Sequence, residues 1–233
     1  MSLKIATLMI GLLLAVGTVH AATPEESFRQ SFPQIPLNAI QPGPTAGIYE
    51  IASGTQIFYY LPEPEYIIAG SIYTRDGRSL TAERTNELLT GALKGLPLAE
   101  ALKIGEGPHQ VIEVTDPDCS YCRQASRYLS QRKDLTRYIF FLPLAIHEDA
   151  EAKIRYIFCA PEMAVAYEDA MTGKLDAMTF KTCNDPTAES RLKAHKELLT
   201  RAGINSTPMF LIDGQFVDGA DIPLMEKILG NKR

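Results

Sequence analysis

Two cysteines three positions apart, Cys119-Ser120-Tyr121-Cys122, close a run that reads as a strand and open a stretch that reads as a helix. That placement constrains the fold more than any other feature of the chain. On a helix the spacing sets both sulfurs on one side, within reach of each other. A thiol in the first turn lies at the positive end of the helix dipole, which favours its thiolate. The thiolate is the species that attacks disulfides, so thiol–disulfide exchange is one reading. A structural disulfide is a second, and half of a zinc site is a third. Zinc would need two more ligands, and the remaining cysteines, Cys159 and Cys183, show no second pair spacing.

The start of the chain bears on the redox compartment. Residues 1–22 carry one lysine, Lys4, then an apolar run from about Ile5 to Val16, then small residues at Ala21 and Ala22. This pattern predicts a cleaved secretory signal. An apolar run of about 12 residues is too short to span a bilayer, which takes about 20. Export places the thiols where disulfides persist. The net charge of −5 and the lack of a basic run argue against nucleic-acid binding. A chain of 233 residues has room for one or two domains.

Along the chain, residues 23–45 read as a short helix and an irregular lead-in. Residues 47–51 and 56–60 read as strands joined at Ser53-Gly54-Thr55, and residues 66–73 continue extended to an Asp76-Gly77 turn. This first part is too small for a deep core of its own. Residues 81–104 read as helical, broken by Gly91, Gly95 and Pro97, with Pro97 starting a second piece. Residues 110–115 form a strand, 119–131 a helix with Cys119 in its first turn, and 137–142 a second strand. Helices follow around 149–159 and on either side of Cys183. Residues 208–212 and 215–217 make a hairpin across Asp213-Gly214, and 222–229 a last helix. This is the element order of a thioredoxin-like fold.

Asp116-x-x-Cys119-Ser120-Tyr121-Cys122, the pair Cys159 and Cys183, Thr207-Pro208 before an apolar strand, and Ile67-Ile68-Ala69-Gly70-Ser71-Ile72-Tyr73 together resemble the DsbC/DsbG disulfide isomerases. The resemblance covers nearly all of the chain after residue 22. It implies an α+β and α/β architecture: a cystatin-like N-terminal dimerisation domain at residues 23–80, a helical linker at 81–106 and a thioredoxin-like catalytic domain with a helical insertion at 107–233. It also implies a V-shaped homodimer in the periplasm with disulfide isomerase, reductase and chaperone activity and no cofactor. The partners it implies are misoxidised proteins as substrates and a membrane thiol reductant. Ser120 and Asn205-Ser206 depart from residues common in the family.

On this reading Cys119 is the nucleophile and Cys122 the resolving thiol. Ser120 and Tyr121 tune the thiol and meet the substrate, or are simply solvated first-turn residues. The resemblance implies a cis bond at Thr207-Pro208, with the Thr207 backbone pairing to an extended substrate; the sequence alone allows an ordinary trans proline. Cys159 and Cys183, if joined, close a loop of about 25 residues worth ~3.5 kcal/mol in the chain-entropy model. Glu113, on a strand expected to be buried, is a proton acceptor for Cys122, a salt-bridged residue or a solvated strand position. Asp116 matches the acid of the family motif and is either a possible proton acceptor or a helix cap. His109, His147 and His195 read as surface or packing residues. Two other functions fit the same residues: a monomeric dithiol oxidase of this fold, which leaves residues 46–80 without a role, and a non-catalytic binding module with structural or zinc-holding thiols.

Overall fold

The computed structural model describes residues 22–177, 180, 182–183 and 185–230. The secretory signal expected at residues 1–22 lies, but for Ala22, outside the described residues. The chain starts with helix α1 (Pro24–Ser31), whose N-cap Thr23 and Glu26 form a reciprocal capping box. Strands β1 (Ala39–Pro42), β2 (Tyr49–Ser53), β3 (Gln56–Leu61) and β4 (Tyr66–Ile68) make an antiparallel sheet in that order. Phe28 of α1 packs with Ile51 and Tyr60, and Ser27 Oγ lies 2.6 Å from the Tyr60 hydroxyl. Strand β1 falls in what the sequence suggests is an irregular lead-in. Four residues ending in Pro42 are too few to show a period, and they form an edge, where proline is tolerated.

Helix α2 (Leu80–Lys94) begins at the cap Ser79, whose hydroxyl accepts from Ala82 N–H. Contrary to the sequence expectation, Gly91 does not break it. Its face is open, so it costs only the ~1 kcal/mol propensity difference from alanine. Nor does Pro97 start a second α-helix: it precedes a single 3₁₀ turn at Leu98–Glu100. Residues 102–104, expected as helix, are strand β5 (Leu102–Ile104). They pair antiparallel with a later strand, β7 (Leu135–Phe141), Leu102 opposite Ile139. Burial of Leu102 against the core and the unfilled edge of β7 outweigh local helix propensity.

The second sheet runs β5-β7-β6-β8-β9. Its strands β6 (His109–Thr115) and β7 (Leu135–Phe141) are parallel, and β8 (Met209–Ile212) and β9 (Gln215–Asp218) form a hairpin antiparallel to β6. Alternation on β6 divides the core. Val111 faces α3 (Ser120–Leu129) and α7 (Ile222–Leu229), meeting Ala125, Leu129, Met225 and Leu229. Ile112 and Val114 face the other way, onto Leu89 and Leu93 of α2 and Leu199 of α6 (Pro186–Arg201). Burying each such leucine contributes about 1.5–3 kcal/mol. Helices α4 (Ala150–Cys159) and α5 (Met163–Met171) complete the helical insertion. Cys159 and Cys183 are joined by a disulfide. This is a mixed architecture of an antiparallel sheet, a connecting helix and a thioredoxin-like sheet.

Because β5 and β6 flank β7, the connection between them crosses the start of β7. Gly107 makes that crossing in backbone contact: its N–H donates to Leu135 O at 3.0 Å. A Cβ there would lie 2.0 Å from the Asp134 carbonyl carbon, so only glycine fits.

Candidate active site

Strand β6 ends at Thr115, and the next residue fixes the turn. Asp116 is fully buried, and its carboxylate accepts from Asp118 N–H at 2.8 Å, Leu144 N–H at 2.7 Å and His147 Nδ1 at 2.9 Å. It therefore ties the turn before Cys119 to the loop after β7. It is neither a cap of α3 nor a free base. Asp118 meets Arg123 at 3.0 Å and also Lys153. Arg123 and Lys153 both reach Asp176, whose carboxyl hydrogen bonding to Arg123, above all, holds down to about 2. The turn, α3, α4 and the 3₁₀ turn at Lys174–Ala177 are clamped by this ring of alternating charge.

Cys119 stands one place earlier than the sequence suggests. It is the N-cap of α3 rather than a first-turn residue, and its Sγ accepts from Cys122 N–H at 3.4 Å. A hydrogen bond from the Cys122 thiol, first of all, holds the Cys119 thiol down at about 5; the N–H groups of Cys122 and Tyr121 add to this and burial opposes it. Burial pushes the Cys122 thiol far up, and the Cys119 sulfur adds to that rise. Near neutral pH the pair is thus a thiolate at Cys119 and a thiol at Cys122. Both are free cysteines; Cys119 is 7% exposed and Cys122 0%. Ser120 is exposed, and Tyr121 is 64% exposed beside them.

The peptide bond Thr207-Pro208 is cis, and the Thr207 carbonyl oxygen lies 3.9 Å from Cys119 Sγ. The Thr207 hydroxyl is buried beside the two sulfurs, and its hydrogen bonding helps to hold the Cys119 thiol down. Cys119, Cys122, Thr207 and Pro208 are therefore brought together across 88 residues of chain.

Glu113 is drawn into a different set. Its Oε2 accepts from Arg137 Nη2 at 2.8 Å and Nε at 3.2 Å, and its Oε1 accepts from the Tyr167 hydroxyl at 2.7 Å. Of the sequence readings, the structure takes the salt bridge. Among the described residues no hydrogen bond joins Glu113 to Cys122, and both its oxygens are engaged, so it is not placed as a ready proton acceptor. Arg137 also approaches Ser126, one turn beyond Cys122, at 3.4 Å. Sequence reasoning passed over Arg137, Tyr167, Lys153 and Asp176. For Arg137 a signal existed, since a lone charge inside an apolar strand is seldom buried without a partner. His195 is a buried packing residue as expected, but His147 does more than pack: it holds Asp116. Among the described residues no group of three or more His, Cys, Asp or Glu side chains is placed to hold a metal ion.

Comparison with known proteins agrees with this arrangement. Residues 17–82 match the disulfide bond isomerase protein N-terminal domain, and residues 96–223 match a thioredoxin-like domain. The probable thiol:disulfide interchange protein DsbC of Bordetella parapertussis is 30% identical over 202 residues, covering 84% of this chain and 69% of that protein. The thiol:disulfide interchange protein DsbC of Escherichia coli K12 is 26% identical over 222 residues, covering 92% and 91%. A crystal structure of a disulfide interchange protein from Neisseria gonorrhoeae, 27% identical, superposes with a TM-score of 0.49 over 57% of this chain and 96% of that one. With two domain matches in tandem and a relative at this identity over most of both lengths, the chain belongs to the DsbC family of thiol:disulfide interchange proteins.

Proposed function

We propose that this chain is an exported, dimeric thiol:disulfide isomerase of the periplasm, with Cys119 as nucleophile and Cys122 as resolving thiol. The observation that carries the reading is the split between the two thiols, one held at about 5 and its neighbour pushed far up, beside the Thr207 carbonyl. The Cys119 thiolate attacks a substrate disulfide. A Cys119–substrate disulfide forms, the substrate disulfide breaks, and the other substrate sulfur leaves as a thiolate. Two exits follow. If a substrate thiolate attacks the mixed disulfide, Cys119 leaves as a thiolate and the substrate keeps a rearranged disulfide, with no net redox change. If Cys122 attacks, it loses a proton, a Cys119–Cys122 disulfide forms and the substrate gains two electrons. A partner thiol must then return two electrons to this chain. The raised Cys122 thiol and the engagement of Glu113 by Arg137 both disfavour the second exit, which supports isomerisation over net reduction of the substrate.

Thr207 and Pro208 offer backbone to an extended substrate, and Ser120 and Tyr121 flank it. Residues 23–80 form the dimerisation domain and 81–106 join it to the catalytic domain. The cleft between two such chains holds a misfolded protein, giving chaperone activity, and a membrane thiol reductant keeps Cys119 reduced. The test is refolding of a scrambled disulfide protein with and without the chain. Recovery should depend on Cys119: Cys119→Ser abolishes it, and Cys122→Ser accumulates mixed disulfides through Cys119. Recovery that survives Cys119→Ser would refute the assignment.

A further inference from the structure

The β2–β3 turn of the first sheet touches the second half of the chain at Gly203. Thr55 is buried, and its hydroxyl donates to the Gly203 carbonyl at 2.6 Å, across 148 residues of sequence. The turn is held from behind by Asn38, whose Oδ1 accepts from Gly54 N–H at 2.6 Å. On the other side, Gly203 has φ +71°, and a Cβ there would come within 2.9 Å of Thr55 N and 3.2 Å of Gly54 Cα. Gly203 is thus fixed as glycine both by its backbone conformation and by the turn pressed against it. Ile204 follows and is buried with Leu89, Leu93 and Met209. Asn205 and Ser206 then lead to Thr207-Pro208. The contact closes a triangle: Ala52, Ile57 and Tyr59 of the hairpin pack with Leu88 of α2, and Leu89 and Leu93 of α2 pack on the second sheet.

We infer that Thr55 is a positioning residue for the reaction: the hairpin turn braces, within one chain, the loop that presents Thr207 to substrate. The brace sits four residues before Thr207 and touches neither thiol. The Cys119 sulfur is set first by the Cys122 thiol and the start of α3, with Thr207 a smaller contributor. Loss of the brace should therefore weaken pairing with an extended substrate far more than it alters the intrinsic reactivity of Cys119. This inference rests on the proposed role of Thr207, and it assigns the N-terminal sheet a task separate from dimerisation.

The experiment compares two disulfides on the full-length reduced chain. One is glutathione disulfide, too small to use the Thr207 backbone along an extended strand. The other is a peptide of about ten residues with a mixed disulfide at its centre. Thr55→Val keeps the shape and removes the donor, leaving the Gly203 carbonyl without its partner. The expected result is about a fivefold to tenfold loss in kcat/KM on the peptide, mostly as raised KM. The rate with glutathione disulfide and the oligomeric state should stay as in the parent, and the alkylation midpoint of Cys119, set first by Cys122, should rise only slightly. Thr55→Ser should restore the peptide rate. Unchanged peptide kinetics in Thr55→Val would overturn the inference, and so would equal slowing on both disulfides, which marks general loosening. A parent chain that reacts with neither disulfide would overturn the proposed function itself, and the brace with it.

Discussion

The sulfur of Cys119 sits where a serine or aspartate oxygen sits at an ordinary helix start, so the group that caps α3 is also the proposed nucleophile. Its charge depends first on the Cys122 thiol, then on backbone N–H groups. Alkylation of Cys119 should accelerate with pH through a midpoint at about 5. In Cys122→Ala, which removes the largest contributor, that midpoint should move upward; stopped-flow alkylation against pH reads both. Behind the site, Glu113 and Arg137 form a fully buried pair. Arg137→Met leaves the carboxylate uncompensated and should cost about 3–5 kcal/mol in urea unfolding. The double variant Glu113→Leu, Arg137→Met should recover most of that loss. Cys119, Cys122 and Thr207-Pro208 were readable in the sequence because they are short patterns with fixed spacing. The partner of Glu113 was not, because it lies on a neighbouring strand 24 residues away, where only register decides the meeting.

At the scale of elements, His195 shows how α6 is locked to the sheet. Its Nδ1 accepts from Phe141 N–H at 3.0 Å, so the ring proton is on Nε2, which donates to Glu100 O at 2.9 Å. Burial, the largest cause, lowers its proton affinity in the folded chain. Just below the ordinary pKa of about 6.5 the unfolded chain therefore binds the extra proton. This contribution is fully present above about pH 6.5 and is lost as the pH falls, at a limiting slope of about 1.4 kcal/mol per pH unit. Urea midpoints at pH 8 and pH 5.5 should differ more in the parent than in His195→Gln. The Cys159–Cys183 bridge links the end of α4 to the segment before α6, with a sequence separation of 24. Replacing both with alanine should lower stability by ~3.5 kcal/mol, read by the same unfolding curves. Long periodic elements such as α7 and β6 were legible in the sequence. β1 and β5 were not, since four and three residues carry no period and their identity comes from the strand beside them.

For the whole molecule, the two sheets share α2, and its Leu88 and Leu89 turn toward different cores. The proposed dimer makes a separable claim. Deleting residues 23–80 should leave a monomer by sedimentation, with reductase activity but little isomerase activity; a truncated chain that isomerises like the parent would refute it. Sequence reading reached the order of the parts through the switch from short strands to a strand–helix alternation. It did not reach how they touch, because Thr55 meeting Gly203 depends on both halves being folded. The crossing of β7 by the β5–β6 connection has one more consequence, for mutational tolerance. In a saturation library, replacements at Gly107 and at Cys119 should both vanish under selection for function. Sorted by abundance of folded protein alone, Cys119 variants should survive while Gly107 variants disappear, since a side chain at 107 has only the backbone of Asp134 and Leu135 to displace.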